Sequence, residues 1–168
     1  VNTTESDQKA KQGGTMSSTA MAGIENLTTN ITQEIHVKAS LAVTFEALLE
    51  QLGPENETPE GKRMSMKIEP WPGGRWFRDL GDGNGHFWGN VQAIKRPTLV
   101  EITGPLFMSY PVISNLQYRL SEEDGGTLIQ FHHMAFGAIP DEHRQGMGKG
   151  WTHMHQRVRE RAEAKEKR

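Results

Sequence analysis

The sequence predicts an α+β domain: a curved antiparallel sheet of about six or seven strands wrapped around one long C-terminal helix, with a short helix after the first strand. Three observations predict it. Met147, Trp151, Met154 and Val158 recur at i, i+4, i+7 and i+11, one face of a 3.6-residue period, while Arg157, Arg159, Glu160, Arg161, Glu163 and Lys165 fill the other directions. Most of the chain before that helix alternates with a period of two between glycine and proline turns. Such a meander has no crossover to cover its second face, so the helices must cover one face and the sheet must bend to let them.

The 168 residues suffice for one domain with a real core. A net charge of -2 with scattered Lys and Arg gives no electrostatic case for nucleic acid. Absence of cysteine excludes a disulfide framework, a thiol nucleophile and a cysteine metal site. No run approaches the roughly 18 apolar residues of a membrane span, and the first residues lack an apolar signal core. Asn-x-Thr at Asn2, Asn26, Asn30 and Asn56 is then read as chance, and a soluble cytoplasmic protein is the plain inference.

Residues 1–30 are rich in Thr, Ser, Gly and Asn and are expected to form a flexible tail, with Met16 or Met21 as a natural start and the residues before it as additions. The folded domain is expected over 31–168. Ile31, Gln33, Ile35 and Val37 alternate against Thr32, Glu34, His36 and Lys38, a half-buried strand with His36 on its solvated face. Ser40 can cap a helix whose stripe is Leu41, Phe45, Leu48, Leu49 and Leu52, ended by Gly53-Pro54. Residues 54–62 read as an acidic loop in which Glu55, Glu57 and Glu60 are solvated and not metal ligands.

Met64, Met66 and Ile68 mark a strand that ends at Pro70-Trp71-Pro72-Gly73-Gly74, and Arg75–Leu80 is the next one. Gly81-Asp82-Gly83-Asn84-Gly85 is a hairpin turn. It is not a phosphate cradle, because a strand follows it, and it lacks the ligand set of a calcium loop. In the strand His86–Ile94, neither His86, Trp88, Asn90 and Gln92 nor Phe87, Gly89, Val91 and Ala93 is clearly the core set, which is the one hint of a dimer contact. Leu99–Thr103 is a strand, and Leu106–Pro111, with Phe107, Met108 and Tyr110, either plugs the core or gates a cavity. Asn115–Leu120 and Thr127–Gly137 are the last strands, and Pro140 opens the long helix.

Pro72-Gly73-Gly74-Arg75-Trp76, Gly89-Asn90-Val91, Ile94-Lys95-Arg96-Pro97-x-Leu99, Gly126-Thr127-Leu128-Ile129 and Gly150-Trp151 follow one another in order. This series resembles the SRPBCC superfamily, START-like and birch-pollen-allergen-like helix-grip proteins. Within it, the chain is similar to the group of the C-terminal domain of the heat-shock-protein-90 ATPase activator. The resemblance spans roughly Ile31 to Ala162 and implies a deep pocket between sheet and C-terminal helix, with no catalytic residue carried over. One departure is the loop Pro54–Arg63, where the group often has a short helix with a Trp.

The expected walls of such a pocket are Trp76, Tyr118, Phe131, Trp151 and Met154, with Arg78 or His133 as polar anchor. His133 points inward by alternation with Ile129 and Phe131, whereas His132 points away, so the two make no metal clamp. His153 and His155 lie about 200° apart on a helix and share no site. Gly146, Gly148 and Gly150 mark either a late start of the regular helix or a place where missing side chains leave room for a ligand. No nucleophile–base constellation and no metal or cofactor motif is present. The leading expectation is a binding protein for a small apolar or amphipathic molecule. Next come an enzyme on a hydrophobic substrate with His133 as acid/base, and a chaperone-type interaction module.

Overall fold

The computed structural model describes residue 23, residues 26–106 and residues 109–168. Seven strands, β1 (Thr28–Val37), β2 (Lys67–Ile68), β3 (Arg75–Gly81), β4 (Asn84–Lys95), β5 (Leu99–Gly104), β6 (Val112–Glu123) and β7 (Gly126–Gly137), form one antiparallel sheet in the order β1-β7-β6-β5-β4-β3-β2. Helix α1 (Leu41–Leu52) follows β1, and helix α2 (Asp141–Glu166) closes the chain. The fold is the expected one: the meander β2 to β7 is completed by β1 pairing with β7, and both helices pack on one face.

The core lies where the inward residues of β6 and β7 meet α2. Leu116, Tyr118 and Leu120 of β6 and Ile129, Phe131, His133 and Ala135 of β7 are buried, as the alternation requires. Met147, Trp151, Met154 and Val158 are the buried stripe of α2, joined by His155 and Ala162. Phe45, Leu48, Leu49 and Leu52 of α1 complete the cluster. The two helices are tied by ion pairs of Arg161 and Lys165 with Glu50.

Several local expectations are corrected. Ser40 sits at the N-cap of α1, but its side chain does not bond its own helix; the hydroxyl donates instead to Glu166 Oε2 at 3.0 Å, fastening the end of α2. The strand expected over Met64–Glu69 shrinks to Lys67–Ile68, which pair with Phe77 and Trp76 of β3, while Met64 and Met66 bond back to Asn56 O and Gly53 O. Met66 is buried all the same. Helix α2 is regular from Asp141, so its glycines do not mark a delayed start. Phe107 and Met108, and the bulk of the segment 1–30, lie outside the described residues.

The ambiguity of the Trp88 strand has a physical cause. Trp76 pairs with Gly89 while Phe77 pairs with Phe87, so Trp88 is an extra residue in a β-bulge. A second irregularity lies between Val91 and Ala93. Each one shifts the alternation by one residue, so that Trp88, Gly89 and Val91 are all buried while Phe87 is exposed. Glycine is required beside the bulge: a Cβ on Gly104 would lie 2.4 Å from Gly89 Cα and from Trp88 O. Trp88 therefore packs inside its own fold, edge-on to Trp76 at 4.9 Å.

Candidate functional site

Two distinct environments separate the sheet from α2. The first is a packed layer of aromatic and polar side chains. His133 is fully buried, with Trp151 Nε1 donating to its Nδ1 at 3.0 Å and Ser114 Oγ 3.1 Å from its Nε2. Since Nδ1 accepts, the ring proton sits on Nε2 and is donated to the serine. His155, also buried, takes the opposite tautomer. Its Nδ1 donates to Gln33 Oε1 at 2.7 Å and its Nε2 accepts from the Tyr118 hydroxyl at 3.3 Å. The Gln33 amide is oriented by donating to Gly148 O and Thr152 Oγ1, both at 3.0 Å.

Phe131 fills the space between, its ring centroid 4.5 Å from His155, 4.8 Å from Tyr118 and 4.9 Å from Trp151. Burial lowers the His155 pKa to about 3. Burial, helped by the neighbouring His132, lowers that of His133 to about 4. Burial pushes the Tyr118 hydroxyl well above its ordinary value. These groups are neutral at pH 7, and every ring nitrogen has a partner.

The second environment is a cavity of about 520 Å³ between the first turns of α2, the loop 56–64 and the β3–β4 bulge. Trp76, Trp88, Trp151, Met64, Met147 and Met154 give it apolar walls, and Gly146 and Gly150 form part of the helix side. A Cβ built on either glycine meets nothing within 4 Å, so the space in front of them is open. Trp76 is held by donating its indole N–H to Leu52 O at 2.7 Å, at the end of α1.

The loop owes its course to backbone bonds: Thr58 N to Lys62 O at 2.8 Å, Met64 N to Asn56 O at 2.8 Å, and a bridge between Glu57 and Arg63. That course aims Glu57 at α2, where its Oε1 lies 3.0 Å from His153 Nε2 and 2.9 Å from Arg157 Nε. On the other side, the Tyr110 hydroxyl meets His143 Nδ1 in a very short contact.

Of the residues singled out from sequence, Trp76, Trp151 and Met154 line the cavity. Tyr118, Phe131 and His133 form the packed layer behind it, because their neighbours fill every approach. Arg78 shares Trp76's face of β3 but lies opposite His86 outside the cavity lining. It is half-buried, and no carboxylate among the described residues pairs with it. Glu57, expected to be solvated, instead reaches into the cavity wall. Tyr110, from the segment expected to plug the core or gate a cavity, lines it, and His153 was missed as a cavity residue. The signal for His153 was its place two residues after Trp151 and one before Met154; the signal for Glu57 lay in the loop's fold, which spacing does not encode.

An antiparallel sheet gripping a C-terminal helix, with a cavity left between them, defines the helix-grip class of the SRPBCC superfamily. The chain belongs to the family described as Activator of Hsp90 ATPase homolog 1-like protein, whose match covers residues 38–163. No curated protein matches the sequence. Among solved structures it is similar to Ara h 8.0201, at 17% identity over 82% of this chain and 99% of that one, with a TM-score of 0.59. It is similar to MLL2253 from Mesorhizobium loti, at 17% identity over 81% and 98%, TM-score 0.60. It is also similar to the di-domain ARO/CYC protein StfQ from the steffimycin biosynthetic pathway, at 12% identity over 86% and 54%, TM-score 0.62. These likenesses concern the fold. No helix among the described residues is long and apolar enough to cross a membrane.

Proposed function

We propose that this protein binds a small hydrophobic or amphipathic molecule in the cavity between its sheet and the first turns of α2. One observation carries the reading: the space of about 520 Å³ falls in the range of small-molecule sites and is walled largely by indoles and thioethers. Trp76, Trp151 and Met154 are the contact residues. Tyr118, Phe131 and His133 support Trp151 from behind. The test is native mass spectrometry of gently purified protein against its denatured mass. Extra mass lost on denaturation is expected; a clean apo mass, together with no uptake of any offered apolar ligand, would overturn the reading.

A second reading is an enzyme on a hydrophobic substrate, and one observation moves its centre. Both nitrogens of His133 are engaged inside the packed layer, whereas His153 lines the cavity with Nε2 held by Glu57, leaving Nδ1 to take and return a proton. His153→Ala would then abolish turnover of a bound substrate and keep binding; turnover that survived would remove this reading. A partner protein, in keeping with the family's description, would be met by the outer face of the sheet, where Ile113, Met134 and Phe136 are exposed beside one another.

A further inference from the structure

We propose that the cavity selects by charge, admitting uncharged or cationic aromatic molecules and refusing carboxylates and sulfonates. The inference rests on the cavity being the ligand site and adds the chemical class of the ligand. Two carboxylates, Glu57 and Glu142, line the cavity, and no lysine or arginine does. Arg157, beside Glu57, is outside the lining and is shared between Glu57 and Glu160, at 2.9 and 2.6 Å.

Two of the three indole donors beside the cavity are already committed. Trp76 Nε1 donates to Leu52 O and Trp151 Nε1 to His133 Nδ1. What these rings offer the cavity is carbon surface, and the face of an indole attracts cations and repels anions. An anion entering this space would lose its hydration and gain no counter-ion. An uncharged aromatic loses little and covers the tryptophans, and an ammonium group gains from both ring faces and carboxylates.

The test uses two fluorescent probes with one ring skeleton, N-phenyl-1-naphthylamine and its sulfonated counterpart 8-anilinonaphthalene-1-sulfonate, titrated at low ionic strength and pH 8. The uncharged probe is expected to bind at least about tenfold tighter, the size of one unscreened like-charge contact at a partly exposed site. Glu57→Gln removes a negative charge and releases Arg157, so it should raise the sulfonate's affinity several-fold and leave that of the uncharged probe nearly unchanged. Glu142→Gln, at an exposed position on the first turn of α2, should act in the same direction without touching the loop.

Equal affinities for the two probes, or equal losses for both in Glu57→Gln with no response to Glu142→Gln, would overturn the charge selectivity and leave the cavity reading standing. Binding of neither probe to the unaltered protein would overturn both. A sulfonate gain in either variant, with the uncharged probe steady, supports the proposal, because a purely structural role moves both probes together.

Discussion

The two halves of the space between sheet and α2 solve opposite problems on the same helix. Around His133 and His155 the interface is filled, and each buried polar atom of the two imidazoles is matched: Ser114 and Trp151 for one ring, Gln33 and Tyr118 for the other. Toward its start the helix carries Gly146 and Gly150, which put no side chain into the facing space, and the volume stays open. The filled half holds three fully buried titratable groups, His133, His155 and Tyr118, and has no room for a ligand. The open half has the room and owes it to residues without side chains. Chemistry-bearing residues are therefore a poor guide to where this fold binds, and missing bulk is a better one. Trp151 is common to both halves, with its indole N–H in one and part of its ring in the other.

The largest effect that would test this division comes from Trp151→Ala. It removes a buried indole and leaves His133 Nδ1 without its donor, so about 4 kcal/mol of stability should be lost, measured by urea unfolding. Probe binding should fall with it. A loss of binding at unchanged stability would show that Trp151 is only a wall of the cavity and that the halves are not joined through it.

Acid separates the halves next. The His133 and His155 pKa values are lowered in the folded state, to about 4 and about 3, from an ordinary value near 6.5 in the unfolded chain. The unfolded state therefore binds more protons below pH 6.5. Their contribution is fully present above that pH and is lost as pH falls toward 4 and then 3. Each imidazole contributes a slope of up to about 1.4 kcal/mol per pH unit in that window. Urea midpoints at pH 7, 6, 5 and 4 should fall progressively, and His155→Gln should flatten the curve by about one proton's worth. A curve that stayed flat would contradict the neutral, fully bonded tautomers assigned here.

Much of this division was legible in the sequence, and the part that was not has definite causes. Alternation in β6 and β7 and the stripe of α2 placed Tyr118, Phe131, His133, Trp151 and Met154 at the interface, because period and burial are linked wherever pairing is regular. Alternation cannot tell a packed interior from a cavity wall, so Tyr118, Phe131 and His133 were grouped with Trp76 although only the latter lines the open half. The β4 bulge defeated period-two reading outright. Glu57 looked like one acid among three in a polar loop; Glu55 also reaches α2, at Arg161, but of the three only Glu57 lines the cavity, paired with His153 and Arg157.

A smaller effect probes the filled half alone. Tyr118→Phe keeps the ring against Phe131 and removes the hydroxyl that bonds His155 Nε2. About 1 kcal/mol of stability should be lost by urea unfolding, with probe affinity unchanged, since Tyr118 does not line the cavity. An affinity change as large as that of a wall substitution would mean that the layer behind the cavity is not rigid.

The smallest effect is the most discriminating, because its two readouts should move in opposite directions. Gly148 and Gly150 lie in the same regular helix, and a Cβ on either meets nothing within 4 Å. Alanine at either position should therefore stabilise the helix by up to about 1 kcal/mol. Only Gly150 lines the cavity. Gly150→Ala should raise the unfolding midpoint and weaken binding of an apolar probe, and Gly150→Leu should weaken it further. Gly148→Ala should raise the midpoint and leave binding alone. If all three bound as well as the unaltered protein, the open half would be a packing gap with no ligand role. If the Gly148 and Gly150 alanine variants lost affinity together, the loss would come from a stiffened helix, and the helix would have to flex for a ligand to enter.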